Sequence, residues 1–298
     1  MNHTVFTGAA TAIITPFDER GAVDYDAFGR LIDFQLAEGI DGIVAAGTTG
    51  EGSTLTDPEY RELIRFCVRR VGGRVPVIAG SGSNNTAHAI ERTKTACGEG
   101  ADAVLLVTPY YNKTTQRGLV ASFSAIADAS AVPCILYNVP SRTGLNMLPE
   151  TLAELAKHER IAAVKEACGN LSQVARERRL CGDSLDIYSG CDDQIVPTLS
   201  LGGKGIISVV SNILPARTAE ICRRFFRGDT AGAAELQLEL LDLMNQLMIE
   251  TNPIPVKAAC AALGYGKNSL RLPLVEMEER NRQKLLELMR EAGLEAAV

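Results

Sequence analysis

Eight short apolar runs alternate with segments of helical period, and this alternation constrains the fold more than any other feature of the chain. The runs are TAIITPF (11–17), GIVAAGTT (42–49), VPVIAGS (75–81), ADAVLLVTP (101–109), PCILYNVP (133–140), IAAVKEA (161–167), LDIYSG (185–190) and GIISVVS (205–211). Helical periodicity fills the gaps at 24–38, 57–71, 85–97, 115–129, 149–158, 171–180 and 193–201, and an eighth segment, 214–227, follows the last run. Strand-length runs separated by single helices read as parallel strands joined by crossovers. Eight even units predict an α/β chain whose sheet closes on itself, the (β/α)8 or TIM-barrel architecture; an open doubly wound sheet is the structural alternative. One helix start is explicit: Thr56, with Pro58 in the first turn and Glu59 three residues on, forms a capping-box pattern. Beyond about residue 229 only helical patterns remain, at 230–249, 254–263 and 274–291. The expected organisation is a barrel over 1–228 and a helical C-terminal extension over 229–298.

Composition narrows the function classes. The formal net charge is −6 and the 30 basic residues are dispersed, with only short clusters such as Arg69–Arg70 and Arg176, Arg178 and Arg179. Such clusters read as solvated helix faces, which argues against nucleic acid. No apolar run approaches a membrane span, and MNHTVFTGAATAIITPF lacks the basic start and apolar core of a signal peptide. Eight single cysteines without a C-x-x-C fit a reduced, cytoplasmic chain. The three histidines, His3, His88 and His158, lie far apart in sequence and pair with no cysteine at ligand spacing, so no metal site is expected.

In barrels of this kind the reacting groups sit at the C-terminal ends of the strands. The sixth run places Lys165 among apolar residues. Strand alternation puts Ile161, Ala163, Lys165 and Ala167 on one face and Ala162, Val164 and Glu166 on the other. Two readings stand on this stretch alone: a strand-end lysine that snorkels to water, or a desolvated amine whose pKa falls until it becomes a nucleophile for carbonyls. The second run ends in AGTTGEGS (46–53), where Thr48 and Thr49 lie between glycines. This is either an ordinary glycine turn or a cradle for a carboxylate or phosphate. It has neither the P-loop ending nor the dinucleotide-binding glycine spacing. PYYNK (109–113) brings two adjacent tyrosines, of which at most one can face a given pocket. The fifth run ends in LYNVPSRTG (136–144), with Tyr137 placed to transfer a proton and Arg142 in the following loop able to grip a carboxylate. LGGKGIISV (201–209) precedes the eighth strand, so Lys204 belongs at the opposite end of the barrel, and SNILP after that strand has no glycine run to hold a phosphate. An amine, a phenol and carboxylate donors converging on one face suit a 2-oxo acid without phosphate, held as a Schiff base.

GTTGE (47–51), YNVPSRTG (137–144), VKEA (164–167) and GIISV (205–209) follow one another in an order and spacing that resemble the 4-hydroxy-tetrahydrodipicolinate synthase (dihydrodipicolinate synthase) family, and the likeness runs from TAIITPF to NPIPVK (252–257). That family belongs to the pyruvate-dependent class I aldolases, which include N-acetylneuraminate lyase. The likeness spans nearly the whole chain. It implies condensation of pyruvate with L-aspartate 4-semialdehyde, the entry step of diaminopimelate and lysine biosynthesis. By resemblance, Lys165 forms the imine with pyruvate, Tyr137 transfers protons, and Thr48 links Tyr137 to Tyr111. Thr49 and the main chain at Ile207 hold the pyruvate carboxylate, and Arg142 holds the carboxylate of the aldehyde. No metal or organic cofactor is implied. A homotetramer of two tight dimers is implied, with Tyr111 crossing into the neighbouring site. One departure is Cys191, which intervenes after SG before Asp192 and Asp193. A sialic acid or 2-oxo sugar-acid lyase is the alternative within the superfamily, and Arg142 argues against it. A barrel that only binds is the alternative outside it, and the retained Lys165, Tyr137, Thr48 and Tyr111 argue against that.

The resemblance also implies an effector site for lysine at the tight-dimer interface. Asn84 and Tyr110 match the lysine-sensitive pattern, whereas Gly52 stands where a serine is usual, Tyr60 where a histidine is usual and His88 where a glutamate is usual. Histidine cannot supply the missing negative charge, so weak or absent inhibition by lysine is expected unless Asp57 compensates.

Overall fold

The computed structural model describes residues 4–295, and His3 and the last three residues of the C-terminal extension lie outside that range. Its strands are β1 (Gly8–Ala12), β2 (Gly42–Ala45), β3 (Val77–Gly80), β4 (Ala103–Val107), β5 (Cys134–Asn138), β6 (Ile161–Glu166), β7 (Asp186–Ser189) and β8 (Gly205–Ser208). They pair in parallel in chain order, and β8 returns to β1 to close the barrel. The crossover helices cover the outside, so both faces of every strand are buried and the strands read as nearly continuous apolar runs. Alternation still sorts the side chains: along β5, Ile135 and Tyr137 join the cluster inside the barrel, while Cys134 and Leu136 pack outward beneath the helices. At the N-terminal end the rings of Phe6 and Tyr188 stack at 4.2 Å and close the barrel. Lys204 lies at that same end, its carbonyl accepting from the Gly8 amide, as its position before β8 predicts.

Several boundaries differ from the expected ones for identifiable reasons. The first strand is Gly8–Ala12 rather than 11–17. The Ile13 amide still donates to the Val44 carbonyl of β2, but from there a side chain takes over: Asn212 accepts from the Ile14 amide and donates to the Ala12 carbonyl. Ile161 packs outside the barrel with Val164, whereas Ala163 lies inside. A β-bulge opposite Cys134 and Ile135 inserts Ala162 as an extra residue, so alternation holds only from Ala163 onward. Arg142 is on a single helical turn, Pro140–Thr143, not in an irregular loop; proline begins the turn and Gly144, at φ +67°, ends it. The Thr56 capping box forms as expected.

In the extension, residues 230–249 are two helices, Thr230–Glu239 and Leu241–Gln246. The helix expected at 254–263 is Ile254–Ala262, and the last one begins at Glu279 rather than at 274. Its start is fixed from a distance, because the Glu250 carboxylate accepts from the Glu278 amide and from Asn281 Nδ2. No helix among the described residues is long and apolar enough to cross a membrane. Among those residues no group of three or more His, Cys, Asp and Glu side chains is arranged to hold a metal ion.

Candidate active site

Lys165 and Tyr137 are neighbours across the β5–β6 ladder, and Tyr188 flanks Lys165 on β7. The lysine is only 5% exposed, beside Tyr137 and in a barrel whose interior is otherwise apolar at this level. Its Nζ lies 4.5 Å from the centre of the Tyr137 ring. It makes no ion pair among the described residues, although Asp192 and Cys191 are close enough to favour its charge. Burial dominates and, with the Arg142 guanidinium nearby, lowers its pKa to about 8. At neutral pH about a tenth of the amine is then unprotonated, about 300-fold more than for a lysine at its ordinary 10.5. Burial pushes the Tyr137 phenol up to about 12, opposed by Arg142 and by a hydrogen bond with Thr48, so Tyr137 is a proton-bearing hydroxyl at working pH.

Above this pair opens a cavity of about 470 Å³ whose wall includes Thr48, Tyr137, Val139, Arg142 and Thr143. The sequence AGTTGEGS supplies its rim by strained backbone, with Ala46 at φ +54° and Glu51 at φ +51°. Gly52 passes so close to the Ala46 carbonyl that a Cβ there would lie 2.0 Å from its oxygen, so this turn admits no side chain at 52 without moving. Thr49 is buried and accepts a hydrogen bond from Asn252 Nδ2 at 2.9 Å, and the Asn252 carbonyl accepts from Arg142 Nη2 at 3.1 Å. Ile207 lies on β8 in the same interior cluster as Tyr137.

The structure thus brings Lys165, Tyr137, Thr48 and Arg142 to one end of the barrel, with Thr49 and Ile207 beside them. It does not bring Tyr111 there. Tyr110 lines the cavity, while Tyr111 is 92% exposed and held at φ +67°, the opposite orientation expected of adjacent residues. Gly52, Asn84 and His88 share the outer part of the cavity with Tyr110, but Tyr60 does not reach its wall. Tyr60 is buried under the Arg92 guanidinium, whose carbon is 3.9 Å from its ring centre. Sequence reasoning noted NPIPVK and Asp192 but gave no role to Asn252, Lys257 or Asp192. The first two lie in NPIPVK, more than 40 residues past the last strand, where the resemblance marked a motif but no role for either side chain. Asp192 Oδ2 accepts from the amides of Val209 and Val210 and so fixes the backbone that follows β8. Burial pushes its carboxyl pKa up, and the intervening Cys191 thiol is likewise pushed up, to about 12.

Residues 5–292 match the dihydrodipicolinate synthetase family. The chain is 53% identical over 291 residues to 4-hydroxy-tetrahydrodipicolinate synthase of Thermoanaerobacter sp. (strain X514), covering 97% of this chain and 98% of that one. Its fold superposes on the crystal structure of dihydrodipicolinate synthase from Aquifex aeolicus with a TM-score of 0.96 at 44% identity, over 98% of this chain and all of the other. The chloride-inhibited dihydrodipicolinate synthase of Acinetobacter baumannii, solved in complex with pyruvate, gives 0.96 at 40% identity, again over 98% of this chain and 100% of the other. With both sequence and structure matched along nearly their full length, this chain belongs to the dihydrodipicolinate synthetase family.

Proposed function

We propose that the protein is a 4-hydroxy-tetrahydrodipicolinate synthase, condensing pyruvate with L-aspartate 4-semialdehyde at the start of diaminopimelate and lysine formation. The observation that carries this reading is Lys165: a buried amine without an ion-pair partner among the described residues, against the Tyr137 ring, below a cavity with an arginine at its wall. The neutral Nζ attacks the ketone carbon of pyruvate. The carbinolamine loses its hydroxyl as water, taking a proton from Tyr137, and leaves a protonated imine. That imine draws electrons from the adjacent methyl group, which returns a proton to the Tyr137 phenolate and becomes an enamine. The enamine carbon attacks the aldehyde, and the new alkoxide takes up a proton from Tyr137 through the Thr48 relay. The amino group of the condensed chain then attacks the imine carbon, expels Lys165 and closes the ring. Thr49 and the main chain at Ile207 hold the pyruvate carboxylate, and Arg142 holds that of the aldehyde. Lys165 itself carries the covalent intermediate, so no cofactor enters the scheme.

Borohydride reduction in the presence of pyruvate, followed by mass mapping, tests the reading together with an assay of several aldehydes. The expected result is a stable adduct on Lys165 and turnover with aspartate 4-semialdehyde. An adduct on Lys113 or Lys204 instead, or preference for a sugar aldehyde, would replace it.

The exposed Tyr111 supports assembly into tight dimers, paired as a homotetramer. A large aromatic ring held in strained backbone and open to water is costly unless another surface covers it. In this assembly Tyr111 completes the Thr48–Tyr137 relay of the neighbouring subunit. Tyr111→Phe and Tyr137→Phe proteins, each nearly inactive, should recover activity on subunit exchange, because some mixed sites receive both tyrosines. No recovery after proven exchange overturns the shared site.

Lysine is expected to inhibit this enzyme weakly or not at all. His88 and the buried, 7% exposed Arg92 guanidinium line the cleft where sensitive relatives of the family receive the effector's ammonium groups. Asp57 is present but already engaged, its Oδ1 2.9 Å from His88 Nε2. Loss of a charge-assisted partner in a desolvated site costs about 2–5 kcal/mol, roughly 30- to several-thousand-fold in affinity. Calorimetric titration beside an inhibition curve decides the point, and saturable inhibitory binding below about 1 mM lysine, which corresponds to more than about 4 kcal/mol, would contradict it.

A further inference from the structure

Behind the reacting face of β5 and β6 lies a second, buried cluster that the mechanism does not use. Asn138 follows Tyr137 and Glu166 follows Lys165, and the two are partners across the same ladder. Both point outward, under the helix Leu171–Cys181. The Met147 amide donates to Asn138 Oδ1 at 2.9 Å, which fixes the amide so that its Nδ2 faces Glu166. From there Nδ2 donates to both oxygens of the Glu166 carboxyl, at 3.1 and 2.9 Å, and the Cys168 amide donates to Oε1 at 2.7 Å. Across from them is Glu177, fully buried on the helix, with Gln173 Nε2 donating to its Oε1 at 2.9 Å.

The second oxygen of Glu177 is anomalous. Oε2 is buried and finds no donor among the described residues. Nor does any cation pair with it among the described residues: the titratable groups facing Glu177 are Glu166 from β6, Cys168 at the end of that strand and Cys181 on its own helix. Tyr137 and Cys191 are the further titratable groups that face Glu166. A bare carboxylate against a second carboxyl in such a place would be unpaired charge. A neutral acid removes the difficulty, because its hydroxyl becomes a donor and Glu166 is the acceptor within reach.

We propose that Glu177 is a positioning residue for this enzyme: as a neutral acid it donates its proton in a hydrogen bond to Glu166, and this carboxyl pair braces Asn138 and the ends of β5 and β6 that carry Tyr137 and Lys165. The proposal rests on the reading under "Proposed function" only for what Tyr137 and Lys165 do; the carboxyl pair itself stands on the contacts. Its titration follows from the surroundings. Burial first, and then the charge of Glu166, push the Glu177 pKa up to about 9. A carboxyl raised in the folded state stabilises the fold fully below its ordinary value of 4.5, loses that contribution as pH rises, and has lost it above about 9. Above that pH two adjacent carboxylates repel each other directly behind the catalytic ladder.

Two variants and one spectroscopic measurement test the proposal. Glu177→Gln keeps a donor facing Glu166, whereas Glu177→Met keeps only the length. The infrared difference between wild type and Glu177→Gln should contain the carbonyl stretch of a protonated carboxylic acid at about pH 7, fading as pH passes about 9. Glu177→Gln should retain kcat within about threefold, and Glu177→Met should lose about tenfold or more in kcat with the KM for pyruvate within about threefold, as expected when geometry in the transition state is loosened and ground-state binding is kept. The wild-type rate should fall relative to Glu177→Gln above about pH 9. Absence of the acid band at neutral pH overturns the proposal, even if Glu177→Met does not fold. Equal kcat in the two variants overturns it also. Borohydride trapping of wild type on Lys165 checks the reaction separately, since the infrared band does not depend on it.

Discussion

Replacing Lys165 by alanine is expected to lower turnover by at least about three orders of magnitude, a loss of about 4 kcal/mol of transition-state stabilisation. The size of the effect follows from what the amine does. Without it no imine forms, and neither the acidity of the pyruvate methyl group nor the enamine is available. The KM for pyruvate should change far less, because the carboxylate contacts assigned to Thr49 and Ile207 are untouched. Lys165→Arg should be as inactive as alanine, since a guanidinium is never neutral at working pH. That pair separates a nucleophile from a merely positive charge. In wild type, the rate of imine formation should rise with pH through about 8, where the buried amine loses its proton. A Lys165→Ala protein that kept a tenth of its turnover, or still gave a borohydride adduct, would remove Lys165 from the mechanism.

The barrel was legible because both faces of each strand are buried, so the chain announces strands as apolar runs and helices as amphipathic segments. Where a run outlasts its strand, as in TAIITPF, the apolar residues remain in the core but the backbone leaves the ladder for Asn212, 198 residues beyond Ile14. No local pattern encodes a partner so distant. The Ala162 bulge was hidden for a similar reason: alternation is a property of the ladder, and an inserted alanine looks like any other small apolar residue. In the site, Lys165 was conspicuous because charge in an apolar strand is costly, and Arg142, Thr48 and Tyr137 were conspicuous by their positions at strand ends. Asn252 and Lys257 were not, because their importance lies in where the extension folds back. Glu177 falls between these cases. With Gln173 it marks an i, i+4 polar pair on the buried stripe of its helix, a pattern visible in the sequence, but the partner Glu166 that gives it meaning lies on another element.

Lys257 carries the second large effect, and it concerns stability. Its Nζ and the Glu51 carboxyl form an ion pair at 2.5 Å with both side chains fully buried. The ammonium also lies 4.1 Å from the centre of the Phe17 ring, and the Arg271 amide donates to the other Glu51 oxygen at 3.0 Å. Lys257→Met removes one charge and leaves the other in the core with a single backbone donor. Breaking a buried pair in this way costs about 3–5 kcal/mol, enough to lower the thermal midpoint by about 10 °C in a chain of this size. The attraction itself is worth less than that figure, because two desolvation penalties oppose it. The double variant Lys257→Met with Glu51→Gln should therefore recover most of the lost stability. Function should not recover in parallel. Glu51 sits at positive φ in the turn that carries Thr48 and Thr49, and Asn252, which donates to Thr49, is five residues before Lys257. Loosening this junction should raise the KM for pyruvate severalfold in both variants, measured well below their thermal midpoints. A single variant as stable as wild type would mean that water or a neighbouring donor already compensates Glu51. A double variant with restored stability and an unchanged KM would confine the pair to holding the extension against the barrel, with no part in shaping the carboxylate pocket.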